Sequence, residues 1–470
     1  MINKETHTID WILNLKNKLG KRIDPKLIEK VIWALTLLEQ LKINGLNFTF
    51  KGGTALLLAT EKPKRFSIDI DIITEHTEKE IIAVLQKIVD EHIFLDWEDD
   101  NDRKYTPDAP IGHFKAYYKS VVDGNIEPIL LDLLYTPNPY PQIQELPIKH
   151  NWISTSGEDT IIAMPTFDAI LGDKLTAFAP KTTGILYSKN RPVEIIKQLY
   201  DIAFLFDNIS DLAVVKNSYN KVVQEEIAFR KLEITATEVL EDTWQACYTL
   251  AERDLKSEEF NQLKLGIRNF TNFTIDRFNL DEAITAAAKV AYLTKLLQAE
   301  KEIKMERFKN PLETKDWIID DQQYNKLNKL KKNNPEAFYY WYNALLLINK
   351  NIPFFSDDEA KNLKEAIKYF IAREGSFSGE DPLLKVIEKL NNKLSELNVF
   401  TEEEIKLLLK VINENIEFMH KYEGYNILSQ EESINRKQQI LEPLYKLREK
   451  IYEFKKEHNK LAYINKHIYA

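Results

Sequence analysis

The sequence predicts an α+β protein in which strands and helices mix in the first 150 residues and helices make up the rest. Short runs of alternating apolar and polar residues, typical of strands, occur over 67–74, 113–121 and 126–136. After Pro165 the apolar residues recur every three or four positions, as in amphipathic helices. A length of 470 residues predicts two or three domains.

The N-terminal portion begins with a predicted helix over 24–43. Asp24 can cap this helix and Pro25 suits its first turn. A short strand, LNFTF, then leads to a pair of glycines, after which TALLLAT begins another helix. A further helix is predicted over 78–93. The turn at 123–125 separates two predicted strands and therefore indicates a hairpin.

Two amphipathic helices are predicted after Pro165, over 166–180 and 193–209, with a loop between them. We expect three domains, which cover 1–155, 156–300 and 301–470. In the last of these a basic segment over 324–334, predicted to be helical, precedes an aromatic cluster over 338–342. The two features fit either a groove for single-stranded nucleic acid ends or a solvated helix beside a packed core.

Composition excludes several classes of protein. The net charge of −9 argues against a protein that coats nucleic acid without specificity, although local basic patches remain compatible. The single cysteine, Cys247, excludes a disulfide framework and any zinc site of several cysteines. The N-terminus lacks the apolar core of a signal peptide, and no apolar run reaches the roughly 20 residues of a membrane span. We therefore expect a cytoplasmic protein without a membrane partner.

The stretch KGGTALLLATEKPKRFSIDIDI, residues 51–72, carries the strongest chemical signal. Strand geometry places Asp69 and Asp71 on one face, where their repulsion requires solvent, a shared proton or a cation. Adjacent carboxylates suit Mg²⁺, which pairs readily with substrate phosphates. The glycines allow close approach of an anion at the start of a helix, and three nearby side chains add polar contacts: Lys51, Thr54 and Arg65.

This combination predicts metal-assisted phosphoryl or nucleotidyl transfer. Two structural alternatives remain open. The glycine pair could be only a tight turn, and the two acids could lie on a solvated strand edge.

KGGTAL followed by RFSIDIDI resembles the signature of the AbiEii/AbiGii toxin-family nucleotidyltransferases, a branch of the DNA polymerase β-like superfamily. The similarity continues through HFKAYYKS and ILLDLLYT to GDKLTAFAP and IIKQLYDI, and so covers about residues 45–210. The resemblance implies a polymerase β-like nucleotidyltransferase core, with a small mixed sheet flanked by helices. It also implies that the next, helical domain completes the active site and that a large all-α part follows.

The resemblance implies a role for each residue of the motif. The phosphates of a nucleoside triphosphate would contact Lys51, Gly52, Gly53, Thr54, Arg65 and Ser67. Asp69 and Asp71 would hold magnesium, with two ions expected and Mn²⁺ as an alternative. The third carboxylate of the superfamily matches Asp132, an acid within a strand of Leu, Ile and Tyr. The alternative for Asp132 is a solvent-facing position at a strand edge.

The family's later motif pairs a helical lysine with an aspartate on the following helix, which matches Lys174 and Asp201. Lys174 would neutralise charge on the triphosphate, and Asp201 would orient this lysine or the incoming hydroxyl. Where the family commonly has Arg-Asp, this chain has Lys197-Gln198, so Lys197 is a candidate substitute cation. Lys197 and Asp201 are also spaced as a surface ion pair of one helix.

The function that the resemblance implies is magnesium-dependent transfer of a nucleoside monophosphate to a hydroxyl group, with release of pyrophosphate. The acceptor would be an RNA, especially the 3′ end of tRNA. The protein would act as a toxin with a cognate antitoxin, or in anti-phage defence with a partner. Three alternatives remain open: synthesis of a signalling oligonucleotide, nucleotidylation of a protein hydroxyl, and an inactive nucleotidyltransferase-like binding module.

Overall fold

The structure is a computed structural model that describes residues 1–20, 22–103, 110–299, 303–315, 317–350, 357–374, 402–423 and 441–452. The chain divides into two compact units, Met1–Ala344 and Leu345–Ala470. The domain boundaries predicted near residues 155 and 300 stay predictions. All of the candidate site residues belong to the first unit.

A mixed sheet organises the N-terminal half. In the described residues it has seven strands in the spatial order β3-β4-β5-β2-β1-β7-β6. Their bounds are β1 Thr49–Lys51, β2 Ile70–Ile73, β3 Asp96–Asp99, β4 Ile111–Lys119, β5 Ile126–Leu134, β6 Ile143–Pro147 and β7 Ile161–Pro165. β1 pairs in parallel with β7 and β2 with β5, and the other neighbours are antiparallel. The predicted α+β class is therefore confirmed.

The strands predicted on either side of the turn at 123–125 form the antiparallel pair β4 and β5. The strand predicted over 67–74 is shorter than expected and covers only 70–73. The reason is its neighbour β1, which is three residues long and pairs Lys51 with Asp71 before the chain turns into a helix. Asp69 therefore lies one residue before the strand.

Among the described residues, four helices accompany the first strands: α1 Ile9–Leu19, α2 Pro25–Ile43, α3 Gly52–Leu58 and α4 Glu78–Asp90. Asp24 caps α2 as predicted, because its carboxylate accepts a hydrogen bond of 2.9 Å from the backbone N–H of Lys26. Thr77 and Glu80 form a capping box at the start of α4. Local capping thus fixes where the helices around the sheet begin.

In the described residues between β7 and Ala299 there are six α-helices: α5 Phe167–Ala177, α6 Pro192–Asn208, α7 Leu212–Phe229, α8 Ala236–Glu252, α9 Glu258–Phe270 and α10 Leu280–Gln298. The helices predicted over 166–180 and 193–209 are confirmed as α5 and α6. Asp168 ties α5 to the start of α7, since its carboxylate accepts a hydrogen bond of 2.9 Å from the N–H of Ser210. The Ser218 hydroxyl donates to the carbonyl of Ala169 at 2.6 Å. α5 is therefore held rigidly.

The segment 324–334 is not one basic helix. It forms a 3₁₀ turn, Asn325–Lys329, and a single turn α11, Leu330–Asn333. The Asn328 side chain bonds both the N–H and the carbonyl of Ile319, which competes with continuous helix formation. The aromatic cluster lies in α12, Pro335–Lys350, where Phe338, Tyr340 and Trp341 are buried. The packed-core interpretation of this cluster is therefore correct.

The described residues of the second unit include two helices, α13 Asp357–Glu374 and α14 Glu402–Glu423. They share a buried cluster with the segment 441–452, formed by residues such as Leu363, Ile367, Leu408, Ile412, Leu444 and Ile451. This unit thus has an apolar core of its own. No helix in the described part of either unit is both long and apolar enough to cross a membrane.

Candidate active site

The glycine step, Gly52 and Gly53, joins β1 to α3. Gly52 has a φ of +79°, a conformation that side chains rarely adopt, and a Cβ at this position would collide with the carboxylate of Asp71. A Cβ on Gly53 would lie 2.6 Å from Oγ of Ser67 and would also collide with Arg65. The chain needs glycine here because the acid, the serine and the arginine approach the backbone so closely.

Asp71 lies at the centre of the acidic cluster, Asp69, Asp71 and Asp132. It is the register partner of Lys51 on β1 and of Asp132 on β5. Asp69 directly precedes β2, and its carbonyl accepts a hydrogen bond of 2.6 Å from the hydroxyl of Thr54. Burial and the neighbouring charges of Asp132 and Asp69 raise the pKa of Asp71 to about 7. A proton and a metal cation would therefore compete for the Asp71 carboxylate near neutral pH.

Asp132 lies on an inner strand of the sheet, because β5 runs between β4 and β2. The alternative of a strand edge is therefore excluded for this residue, although a third of its side chain remains exposed. Its Oδ1 contacts Nδ1 of His113, its register partner on β4, at 2.7 Å. The contact with His113 thus orients the Asp132 carboxylate.

A second set of charged side chains includes an ion pair between Lys174 of α5 and Asp201 of α6. Nζ of Lys174 lies 3.0 Å from Oδ2 of Asp201 and donates to the side chain of Gln198 at 3.0 Å. Arg65 donates to both oxygens of Asp201 at 2.6 Å each, which is a bidentate pair. Burial would raise the pKa of Asp201, but the charges of Arg65 and Lys174 outweigh it and lower the pKa to about 2.

The structure places three predicted contacts differently from the expectation. The hydroxyl of Thr54 is buried on the Asp69 carbonyl, so it is not directed at a phosphate. Arg65 is bound to Asp201 and to the carbonyl of Phe66, so its charge is already paired. Lys197 pairs with Glu194 at 2.8 Å and lies over the ring of Phe273. The alternative of a surface ion pair between Lys197 and Asp201 is therefore excluded.

Lys51 has a partner that the sequence analysis did not identify. Its Nζ lies 3.2 Å from Oδ2 of Asp173 on α5, and the Tyr140 hydroxyl donates to the same oxygen at 2.5 Å. Asp173 directly precedes Lys174, so successive residues of one helix bind Lys51 and Asp201, respectively. Its place in GDKL is a signal that could have been used, whereas nothing in the sequence around Tyr140 indicates this contact.

A comparison with protein families decides the affiliation of the chain. Residues 36–325 match the family described as Nucleotidyl transferase AbiEii toxin, Type IV TA system. The match covers well over half of the chain and includes the glycine step, the acidic cluster and the Lys174–Asp201 pair. The chain belongs to the AbiEii family. The resemblance suggested by residues 45–210 is thereby confirmed and extended to most of the first unit.

Solved structures add little to this assignment. The AbiEii-family chain shares 13% identity with a Helicobacter pylori protein that carries the provisional description nucleotidyltransferase, at a TM-score of 0.34 over 58% of this chain and 95% of the other. JHP933 from Helicobacter pylori is likewise 13% identical, at a TM-score of 0.32 over 58% and 93%. These similarities are too low to support an argument. No curated protein matches the chain.

The acidic cluster of this AbiEii-family chain has the chemistry of a divalent cation site. Its donors are carboxylate oxygens, which Mg²⁺ prefers, and burial together with the charges of Asp132 and Asp69 raises the pKa of Asp71 to about 7. Within the described ranges, no three His, Cys, Asp or Glu side chains already converge around one point as a metal site. The fit therefore depends on donor chemistry and shared charge, rather than on a preformed set of three ligands.

Proposed function

We propose that this AbiEii-family protein is a magnesium-dependent enzyme that transfers a nucleoside monophosphate from a nucleoside triphosphate to the 3′-terminal hydroxyl of an RNA, in particular a tRNA. Membership of a nucleotidyltransferase family supports the chemistry. The observation that carries the assignment of the site is the position of Asp71. This acid touches the glycine step, lies opposite Lys51 and is adjacent to Asp132.

In the proposed reaction, the acceptor oxygen attacks the α-phosphorus, and the bond from this phosphorus to the pyrophosphate oxygen breaks. Magnesium, when bound, supplies charge neutralisation at the attacking and leaving oxygens. Asp69, Asp71 and Asp132 would hold it, and His113 would keep Asp132 in place. No side chain acts as a nucleophile, so the protein's part is to position the reactants.

The cations of the site would contact the triphosphate. Phosphate oxygens would meet the glycine step beside Asp71 and Ser67, whose side chains lie close to its backbone. Lys51 directly precedes the glycine step and Lys174 lies on α5, and both ammonium groups would contact the triphosphate. Asp201 has a positioning role in this scheme, because it is already bound to Arg65 and Lys174 and its side chain is only 4% exposed. Ser67 lies at the glycine step, where it could donate to a phosphate.

The biological role proposed for this activity is that of a toxin in the cytoplasm. The description of the family as a type IV toxin–antitoxin component supports a cognate antitoxin as partner. Modification of a tRNA 3′ end would stop translation, which suits a toxin and equally an effector of anti-phage defence.

Incubation of the purified protein with each α-labelled nucleoside triphosphate, MgCl₂ and total tRNA tests the proposal. We expect labelled tRNA and stoichiometric pyrophosphate with at least one triphosphate, and none after chelation of magnesium. Asp69→Ala and Asp71→Asn should each slow transfer by roughly 100-fold or more, because each removes several kcal/mol of charge stabilisation. Asp242→Asn is the matched control, since this buried acid of α8 binds Lys181 and Thr182 instead.

The products distinguish the alternatives. A free labelled oligomer would indicate a signalling oligonucleotide, and label on protein would indicate nucleotidylation of a protein hydroxyl. Failure of the folded protein to bind any magnesium triphosphate would favour an inactive binding module. An Asp69→Ala variant as active as the unmodified enzyme would overturn the assignment of the site.

A further inference from the structure

The contact of Lys51 with Asp173 has no role in the reaction as described above. Lys51 is the last residue of β1, Asp173 lies in the middle of α5, and Tyr140 lies between β5 and β6. All three side chains meet at one oxygen, Oδ2 of Asp173. Lys51 keeps about a quarter of its side chain exposed (24%), whereas Asp173 keeps 16%. Part of the Lys51 side chain is therefore exposed, while the carboxylate that holds its ammonium is more enclosed.

Lys51 has two carboxylates within reach, and they have different consequences. Its register partner Asp71 belongs to the acidic cluster, and a direct pair between them would occupy a cation ligand. Asp173 lies outside this cluster on a separate element. A lysine side chain has a flexible four-carbon stem and would otherwise move toward the nearest negative charge. The bond to Asp173 holds the ammonium on a carboxylate outside the acidic cluster, while the charge of Asp71 still acts on it.

The charge states of the pair are consistent with a permanent anchor. Burial would lower the pKa of Lys51, but Asp173, Tyr140 and Asp71 together raise it well above its ordinary value. Burial would also raise the pKa of Asp173, but the charge of Lys51 and the hydrogen bond from Tyr140 lower it. Both groups therefore stay ionised over the whole neutral range.

We propose that Asp173, held by Tyr140, is a positioning residue that keeps Lys51 beside the glycine step as a contact for the phosphates of the nucleoside triphosphate. This inference depends on the proposed function, because it assigns a residue to the triphosphate site of that reaction. α5 then carries one lysine of the site, Lys174, and holds the other, Lys51. Asp173 fixes Lys51 directly, while its neighbour Lys174 is fixed by Asp201.

The test is a set of equilibrium binding measurements with the four magnesium nucleoside triphosphates in turn, combined with the KM and kcat of transfer. We expect Asp173→Asn and Lys51→Met each to weaken triphosphate binding about tenfold or more. The double variant should be no weaker than Lys51→Met alone, because the two changes remove one interaction. The KM should rise more than kcat falls. Asp173→Glu should restore part of the affinity, and Tyr140→Phe should weaken it about threefold.

Asp168→Asn is the matched control, since this buried acid of the same helix binds Ser210 and contacts nothing at the glycine step. It should lower stability and leave triphosphate affinity unchanged. Full affinity in Asp173→Asn, or additive losses in the double variant, would overturn the inference. If Asp173→Asn does not fold, Tyr140→Phe and Asp173→Glu provide the same comparison. An unmodified protein that binds no triphosphate would instead contradict the proposed function.

Discussion

At the scale of single residues, Asp201 is an acid whose ionised form is stabilised by two cations, Arg65 and Lys174. Its side chain is only 4% exposed and shares both oxygens with Arg65. Asp201→Asn leaves the Arg65 guanidinium buried without a counter-charge, so we expect the free energy of unfolding to fall by about 3–5 kcal/mol. Urea denaturation measures this change. Lys197→Met is the control for loss of a charge on α6. Its partner Glu194 is exposed, so we expect the free energy of unfolding to change by no more than about 0.5 kcal/mol.

The same acid predicts a dependence of stability on pH. The pKa of Asp201 in the folded protein is lowered to about 2, below the value near 4 of an unfolded chain. Its contribution to stability is therefore present above about pH 4 and disappears as the pH falls through 2. Asp201→Asn should show a smaller loss of stability between pH 5 and pH 2 than the unmodified protein. An equal loss in both proteins would contradict the strength assigned to this ion pair.

Asp71 predicts the opposite dependence, because its pKa is raised to about 7. The folded protein holds this proton longer than the unfolded chain does, so the stability that Asp71 contributes is lost as the pH rises from about 4 through 7. Without divalent cations, Asp71→Asn should remove this loss between pH 5 and pH 8. Addition of MgCl₂ at pH 8 should stabilise the unmodified protein and have less effect on the variant. Urea unfolding at pH 5 and pH 8, with Asp168→Asn as control, measures these changes in the free energy of unfolding.

At the scale of elements, the junction of β1 and α3 controls the position of Asp71. Gly52→Ala would place a methyl group against the Asp71 carboxylate and impose a strained φ, so we expect transfer to fall about 100-fold or more. Gly45→Ala is a close control, since Gly45 has a φ of +91° and nothing lies within 4 Å of its added Cβ. Both variants should lose about 1–2 kcal/mol of stability from strain. Only Gly52→Ala should lose activity.

Elements with local signals could be predicted from the sequence, and those that depend on long-range pairing could not. Asp24 and Pro25 predicted the start of α2, and the turn at 123–125 predicted the pairing of β4 with β5. The strands β3, β6 and β7 are four or five residues long and were not predicted. The parallel pairing of β2 with β5, which brings Asp71 next to Asp132, has no local signature.

The site follows the same division. The acids and glycines stand in one short motif, so the sequence could indicate them together. Arg65 and Asp201 are 136 positions apart. From the sequence, Arg65 was predicted to contact a phosphate, and Asp201 to orient Lys174 or the incoming hydroxyl. Only the fold shows that they bind each other. The Tyr140 contact with Asp173 is equally invisible, because a tyrosine in a loop is compatible with many environments.

At the scale of the whole molecule, the candidate site and the AbiEii-family region lie entirely within the first unit, Met1–Ala344. The second unit has a separate apolar core. A chain that ends after Lys350 keeps α12 complete, so we expect it to unfold cooperatively in urea and to bind magnesium triphosphates with an affinity within about threefold of the full chain. A truncated chain that is folded but does not bind triphosphate would show that the second unit contributes to the nucleotide site. Transfer to tRNA, measured on the same two chains, shows which unit contacts the acceptor. Equal rates would place the acceptor contacts in the first unit. Unchanged triphosphate binding with slow transfer would place them in the second.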